Sequence, residues 1–268
     1  MTSAKDMVLR PISSKEANEL VKRVHYSGKV VNNSQLHIGA FLNGKLEGAM
    51  SFGPSLDKRK IQGLVSGTGW NEFIELNRMA FTDALPRNSE SRAISIAMKL
   101  LRKHAPHIKW VVTFADGAQC GDGTIYRASG FVLTGIKRSD NLVRLPDGRA
   151  IHKMTLESTP NKPRAELGGK SYYTITGGKY DLAAYVRHTG GRVIPGYQLR
   201  YIRFIDNSYR ERLTVPELPY SEIDRLGAGM YLGQPRAGSV DSDTSAFHTE
   251  EGGATPTPAL HETYGVKS

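Results

Sequence analysis

The chain has 268 residues, 39% of them hydrophobic, enough to bury a core. It has no run of the about 18 apolar residues that a membrane helix needs, no apolar signal-peptide run near its N-terminus, and a single cysteine, Cys120, which excludes an internal disulfide and a cysteine-built zinc cluster. A cytoplasmic protein with no membrane partner is expected. Its net charge of +10 is uneven, since residues 234–268 carry −3 and residues 1–233 carry +13, a surplus that points to a polyanion such as nucleic acid or to a merely solvated basic surface.

In chain order, residues 7–11 read as a short first strand, and Ser13-Ser14-Lys15-Glu16 has the spacing of a capping box that opens a helix running to Arg23 or Val24. That helix ends at His25-Tyr26-Ser27-Gly28, which places an imidazole and a phenol where the chain turns. A capping histidine beside a core tyrosine explains the same residues equally well. Residues 36–42 and 45–52 flank Asn43-Gly44, the pair that suits the type I′ turn of a hairpin. Residues 54–68 form a glycine-dotted connection carrying Lys58-Arg59-Lys60, a basic cluster for phosphates or for solvent.

Residues 71–81 read as a strand, and 83–89 as a polar turn holding Pro86. Ile94, Ala97, Met98 and Leu101 then mark an amphipathic helix, capped by Asn88 or Ser89 with Glu90 in its first turn. The continuous apolar run 108–114 empties into Ala115-Asp116-Gly117, and a short helix at 124–129 closes on Gly130-Phe131. Open α/β sheets bind ligands at such strand exits, so Arg78, Asp116 and Tyr126 are the candidate site residues.

Residues 131–136 continue as a strand, Pro146-Asp147-Gly148 marks a turn, and 150–156 read as the antiparallel partner. The sum is an α/β (α+β) fold, a mixed, mostly antiparallel sheet of about six or seven strands with helices on its faces. Residues 158–170 are a loop or a hinge. The run 196–204 interleaves Arg200, Tyr201 and Arg203, a mixture found where bases stack and phosphates pair, and equally in a packed strand with snorkelling arginines. The expected division is a catalytic core over 1–157, a basic and aromatic C-terminal extension packed on it over 158–233, and a disordered tail over 234–268.

Ile125-Tyr126-Arg127-Ala128-Ser129-Gly130-Phe131, between two hydrophobic strands, resembles the Tyr-x-x-x-Gly-Phe segment of the GNAT acyltransferase superfamily, and the order of elements agrees with that fold. Four stretches carry a narrower likeness: Glu75-Leu76-Asn77-Arg78-Met79, residues 86–92, Phe114-Ala115-Asp116 and residues 123–129. With His25-Tyr26-Ser27 and residues 195–231, they resemble the phage Mom family. These are GNAT-like proteins that convert adenine in phage DNA to N6-carbamoylmethyladenine and so protect it from restriction. The resemblance implies a DNA adenine N6-modifying transferase in the host cytoplasm, with double-stranded DNA and a small-molecule group donor as partners. It implies a catalytic set of Asp116, Tyr126, Arg78, His25 and Tyr26.

In that set Asp116 accepts the N6 hydrogen of an extruded adenine, Tyr126 donates a proton or hydrogen bond, and Arg78 holds a carboxylate, phosphate or carboxamide oxygen. Where acetyltransferases carry a glycine-rich pyrophosphate loop this chain has Pro86-Arg87-Asn88-Ser89-Glu90-Ser91, so Arg87, Asn88, Ser89 and Ser91 are the donor-holding residues. A loop without glycine admits a pyrophosphate less closely, which leaves acetyl-CoA, a related donor and an unrelated one all open. His25, Tyr26 and Asp116 form a set that suits iron or another divalent ion, but no ligand spacing assigns a metal residue. Nucleic acid is assigned to Lys58, Arg59, Lys60, Arg200, Tyr201 and Arg203, and Cys120 to packing. The alternatives are a conventional GNAT N-acetyltransferase acting on a protein or small amine, and a non-enzymatic phage DNA-binding regulator.

Overall fold

The computed structural model describes residues 3–25, 27–118, 121–231 and 234–235. Strand β1 (Val8–Pro11) leads into helix α1 (Ser14–Val24), which opens on a capping box: the Ser13 hydroxyl accepts from the Glu16 amide at 3.2 Å and the Glu16 carboxylate accepts from the Ser13 amide at 2.8 Å. Strands β2 (Leu36–Leu42) and β3 (Lys45–Gly53) meet at Asn43 and Gly44, whose φ angles of 51° and 77° are those the type I′ turn requires. A short helix, α2 (Lys58–Gln62), precedes β4 (Phe73–Phe81), so the basic cluster expected in an open connection lies on a helix capped by Asp57.

Helix α3 (Ser89–His104) crosses from β4 to β5 (Trp110–Asp116), and α4 (Thr124–Ala128) leads into the long strand β6 (Val132–Arg144). Strand β7 (Ala150–His152) stops early, because the His152 Nδ1 accepts from the Met154 amide at 3.1 Å and so caps α5 (Lys153–Glu157). The strand expected over 150–156 is therefore half strand and half helix. Helices α6 (Tyr172–Thr176) and α7 (Leu182–Thr189) follow, then β8 (Arg192–Phe204), α8 (Ser221–Arg225) and a small ribbon of β9 (Met230–Tyr231) and β10 (Gln234–Pro235).

The large sheet has eight strands in the order β1-β2-β3-β4-β5-β8-β6-β7, with β4 and β5 parallel and every other pair antiparallel. Residues 192–204, beyond the expected boundary at 157, thus supply a central strand of the same sheet. Residues 158–191 instead build a satellite core in which Leu167, Tyr172 and Tyr185 close over Val143, Leu145 and Leu156. Of the tail expected over 234–268, Gln234 and Pro235 pair with Tyr231 and Met230 as strand β10, and residues 236–268 lie outside the described residues. Among the described residues no helix is long and apolar enough to cross a membrane.

Two apolar layers sandwich the sheet. On one face α3 lays Ile94, Ala97, Met98 and Leu101 on Ile38, Met50, Phe52, Leu76 and Val111. On the other, α1 packs Ala17 and Leu20 against Ala49, and Ile61, Leu64 and Val65 cover Phe73, Trp110 and Val112. The Phe73 and Trp110 rings stack at 4.6 Å, and cutting so large a buried ring back to alanine costs about 3–5 kcal/mol.

Candidate functional site

The site begins with a failure of pairing. The parallel ladder between β4 and β5 holds for only three steps, Phe73↔Trp110, Ile74↔Val111 and Glu75↔Val112. Beyond it β5 keeps only its pairing with β8 and β4 only its pairing with β3, and the Thr113 hydroxyl donates to the Leu76 carbonyl at 3.0 Å where they part. A bulge in β4 then resets the side-chain alternation. Ser51 pairs with Arg78 but Phe52 pairs with Leu76, so Asn77 is the extra residue. Ile74, Leu76, Met79 and Phe81 consequently all join the α3 layer, and Glu75 and Arg78, three apart, share the opposite face. Alternation along β5, with Phe114 opposite α3 and Ala115 toward it, puts Asp116 on that same face.

His25 arrives from α1, which ends there with the His25 amide donating to the Val21 carbonyl at 3.0 Å. Its Nδ1 accepts from the Ser27 amide at 3.2 Å and lies 2.8 Å from the Ser27 hydroxyl, which assigns the ring proton to Nε2. Burial first, and the neighbouring Arg78 guanidinium second, hold its pKa down to about 4, so the ring is neutral at pH 7. Arg78 itself donates through Nε to the Lys29 carbonyl at 3.0 Å and through Nη1 to the Asn77 carbonyl at 2.8 Å. Burial raises the Glu75 carboxyl above its ordinary range, opposed by Ser55 and the Arg78 guanidinium. Asp116 Oδ1 accepts from the Ala118 amide at 3.0 Å, which orients its carboxylate.

Three residues that sequence reasoning passed over join this face: Glu75, Lys29 and His152. Burial lowers the His152 pKa, Asp116 opposes that shift and Lys29 adds to it, so the imidazole sits within electrostatic reach of both. All three are isolated polar residues in a strand, a loop and a strand end, and only the bulge and the β7–α5 junction bring them here.

Tyr126 belongs to the other layer. Its ring packs with the α3-side core, 5.6 Å from both the Phe131 and Tyr201 rings. The expected set is thus divided: His25, Arg78 and Asp116 on the α1 face, Tyr126 on the α3 face, with the opening between β4 and β5 separating them. Tyr26 and Cys120 lie outside the described residues. Among the described residues no three or more His, Cys, Asp or Glu side chains gather to hold a metal ion, and the ring proton on His25 Nε2 blocks the nitrogen that would bind one.

Beside Tyr126, a cleft of about 410 Å³ opens at the start of α3, lined by Phe81, Leu85, Arg87, Asn88, Ser91 and Ile125 among others. Of the expected donor residues, Arg87, Asn88 and Ser91 line it. Ser89 does not, because it is fully buried with its hydroxyl and amide both given to the Pro86 carbonyl. Asn88 is at the cap position with φ 70°, and its side chain makes no capping bond, so the cap expected of Asn88 or Ser89 is absent. With the Ser89 amide spent and Glu90 also on the wall, this cradle suits a pyrophosphate poorly.

The basic residues assigned to nucleic acid divide likewise. Arg59 and Lys60 are exposed on α2, whereas Lys58 stands 4.5 Å over the Trp70 ring and donates to Asn71 at 3.3 Å. Tyr201 cannot stack on a base: it is 0% exposed, and its hydroxyl donates to the Asp122 carbonyl at 2.5 Å. Arg200 donates to the Thr134 hydroxyl and carbonyl at 3.0 and 2.6 Å, and Arg203, on the opposite face three residues on, donates to the Gly130 carbonyl at 2.7 Å. The interleaved run is a packed central strand.

Set beside known proteins, residues 6–222 match the sequence profile of the Mom protein family. The chain is 35% identical over 213 residues to the methylcarbamoylase Mom of Escherichia phage Mu, covering 78% of this chain and 80% of that protein. Among solved structures it is similar to a Bacillus subtilis acetyltransferase in complex with CoA, at 10% identity, 74% and 97% coverage and a TM-score of 0.37. It is also similar to the Escherichia coli ribosomal-protein-S18-alanine N-acetyltransferase, at 11% identity, 75% and 94% coverage and a TM-score of 0.38.

Proposed function

The chain belongs to the Mom protein family, and from that membership we propose that it is a DNA-modifying transferase that places a carbamoylmethyl group on N6 of adenine. The 35% identity over 213 residues to the phage Mu methylcarbamoylase carries this proposal. The common face of Arg78 and Asp116 beside the β4–β5 opening supports it.

The N6 amine of a paired adenine is enclosed in the duplex, so the base must swing out before it can react. Its nitrogen lone pair is drawn into the ring and needs help. As N6 attacks the saturated carbon of the incoming group, the N6–C bond forms and the bond from that carbon to the donor's leaving atom breaks. The leaving atom takes the electron pair, and one N6 proton passes to Asp116, whose carboxylate the Ala118 amide holds in place. Arg78, held by two backbone carbonyls through Nε and Nη1, suits the carboxamide oxygen of the transferred group as a fixed charged donor through Nη2. His25, neutral and with its proton on Nε2, serves as a donor to the base and adds no charge to the pocket. The donor enters by the cleft at α3, and Tyr126 returns a proton to the leaving atom from the far side of the opening.

Plasmid DNA from cells expressing the protein tests the proposal. Restriction enzymes whose sites contain adenine should cut it more slowly than DNA from control cells. Full cleavage of both, together with tight acetyl-CoA binding and indifference to DNA, would instead favour a conventional N-acetyltransferase.

A further inference from the structure

Four cations meet at the edge of the candidate site, from three parts of the chain far apart in sequence. Lys29, in the loop after α1, donates from Nζ to the Thr155 hydroxyl of α5. Arg164 donates through Nη2 to the carbonyl of that same Thr155 at 2.7 Å and to the Thr159 hydroxyl at 2.9 Å. Arg78 reaches the Lys29 carbonyl at 3.0 Å from the site side, and Lys162 follows Thr159 in a turn closed by a 3.1 Å bond from its amide to the Thr159 carbonyl. The Lys29 ammonium is disfavoured first by burial and then by Arg164, Arg78 and Lys162, so all three stand within electrostatic reach of it.

Glu157 is engaged by Lys153 at 3.5 Å, and Glu166 is shared by Arg149 at 3.6 Å and Arg164 at 3.9 Å. Like charges gathered this closely oppose one another, as the lowered Lys29 pKa records, and an anion would relieve them. Two ammonium groups, each a compact charge with several donors, suit a tetrahedral oxyanion.

From this geometry we infer that Lys29 and Lys162, with Arg164 buried behind them, hold a backbone phosphate next to the nucleotide whose base enters the site. The inference rests on the reading of the chain as a DNA-modifying protein. It adds a positioning role: a phosphate gripped at the mouth fixes the swung-out nucleotide relative to Asp116. A phosphate carried by the small-molecule donor has the same chemistry.

The test is fluorescence anisotropy of a labelled DNA duplex with the full chain, repeated over a range of salt. Removing one cation from a bound phosphate should flatten the slope of log affinity against log salt by about 0.9. Lys162→Ala and Lys29→Gln should each weaken binding and lower the slope, and the pair together more than either; Lys29→Gln keeps a donor for Thr155, so a folding defect does not mimic the effect. Slopes equal to wild type in both variants overturn the inference. So does a loss of inorganic pyrophosphate binding with the DNA slope intact, which would assign the cluster to the donor. If wild-type protein leaves adenine unmodified in cells yet the slopes fall as stated, the phosphate grip stands and the transferase reading falls. Modified adenine with unchanged slopes gives the reverse, and a wild-type chain that does not bind DNA sinks both.

Discussion

Arg78 Nε donates to the carbonyl of Lys29 at 3.0 Å, so one side chain both faces the candidate site and ties down the loop that follows His25. Its Nη1 is fixed on the Asn77 carbonyl at the β4 bulge. Lysine has the charge but not the two-pronged geometry. Arg78→Lys is therefore expected to lower adenine modification at least about tenfold and to cost about 1–2 kcal/mol in urea unfolding. Unchanged activity with an unchanged unfolding midpoint would refute the double role.

Tyr201 separates a core tyrosine from a base-stacking one. Tyr201→Phe removes the donor to the buried Asp122 carbonyl and should destabilise the fold by about 1–3 kcal/mol, while DNA affinity at fixed salt stays as in wild type. A drop in affinity without a drop in stability would return the residue to the DNA surface.

Asn88 holds a left-handed conformation, φ 70°, with no compensating side-chain cap. Asn88→Gly should stabilise by up to about 1 kcal/mol, since it removes the Cβ that strains this conformation, while Asn88→Ala keeps the Cβ, loses no capping bond and should change little. Equal unfolding midpoints for the two variants would show that the strain is absent.

Acid should weaken the fold through its neutral histidines. The His25 pKa lies at about 4 in the fold, below an unfolded value of about 6.5, so the unfolded chain binds more protons between those limits. Burial also lowers His37, whose Nδ1 sits 2.8 Å from the Ser51 hydroxyl. Stability is fully present above about pH 6.5 and is lost as pH falls toward about 4. Unfolding curves across that window should be flatter for His25→Gln than for wild type, and parallel curves would contradict the assignment.

Features with a local cause were legible in the sequence. Asn43-Gly44 fixes its own hairpin, Ser13 and Glu16 cap their own helix, and the spacing of Ile94, Ala97, Met98 and Leu101 marks the buried face of α3 without outside help. Features set by distant pairing were not. Nothing near residues 192–204 says that they insert between β5 and β6, and that insertion is what buries Tyr201 and sends Arg200 and Arg203 to opposite faces. Arg78 and Asp116 were legible as polar residues at strand exits. Their shared face depends on the extra residue at Asn77, which only the β3 register reveals. Lys29, His152 and Lys162 are isolated in sequence, and charge patterning had no run to detect.

Nucleoside mass spectrometry of plasmid DNA recovered from expressing cells tests the central claim most directly. Wild-type protein should yield a deoxyadenosine species heavier by one carbamoylmethyl group, and Asp116→Asn protein, folded and equally abundant, should yield none. Unaltered nucleosides from folded wild-type protein, or the modified species at full level from Asp116→Asn, would contradict the account.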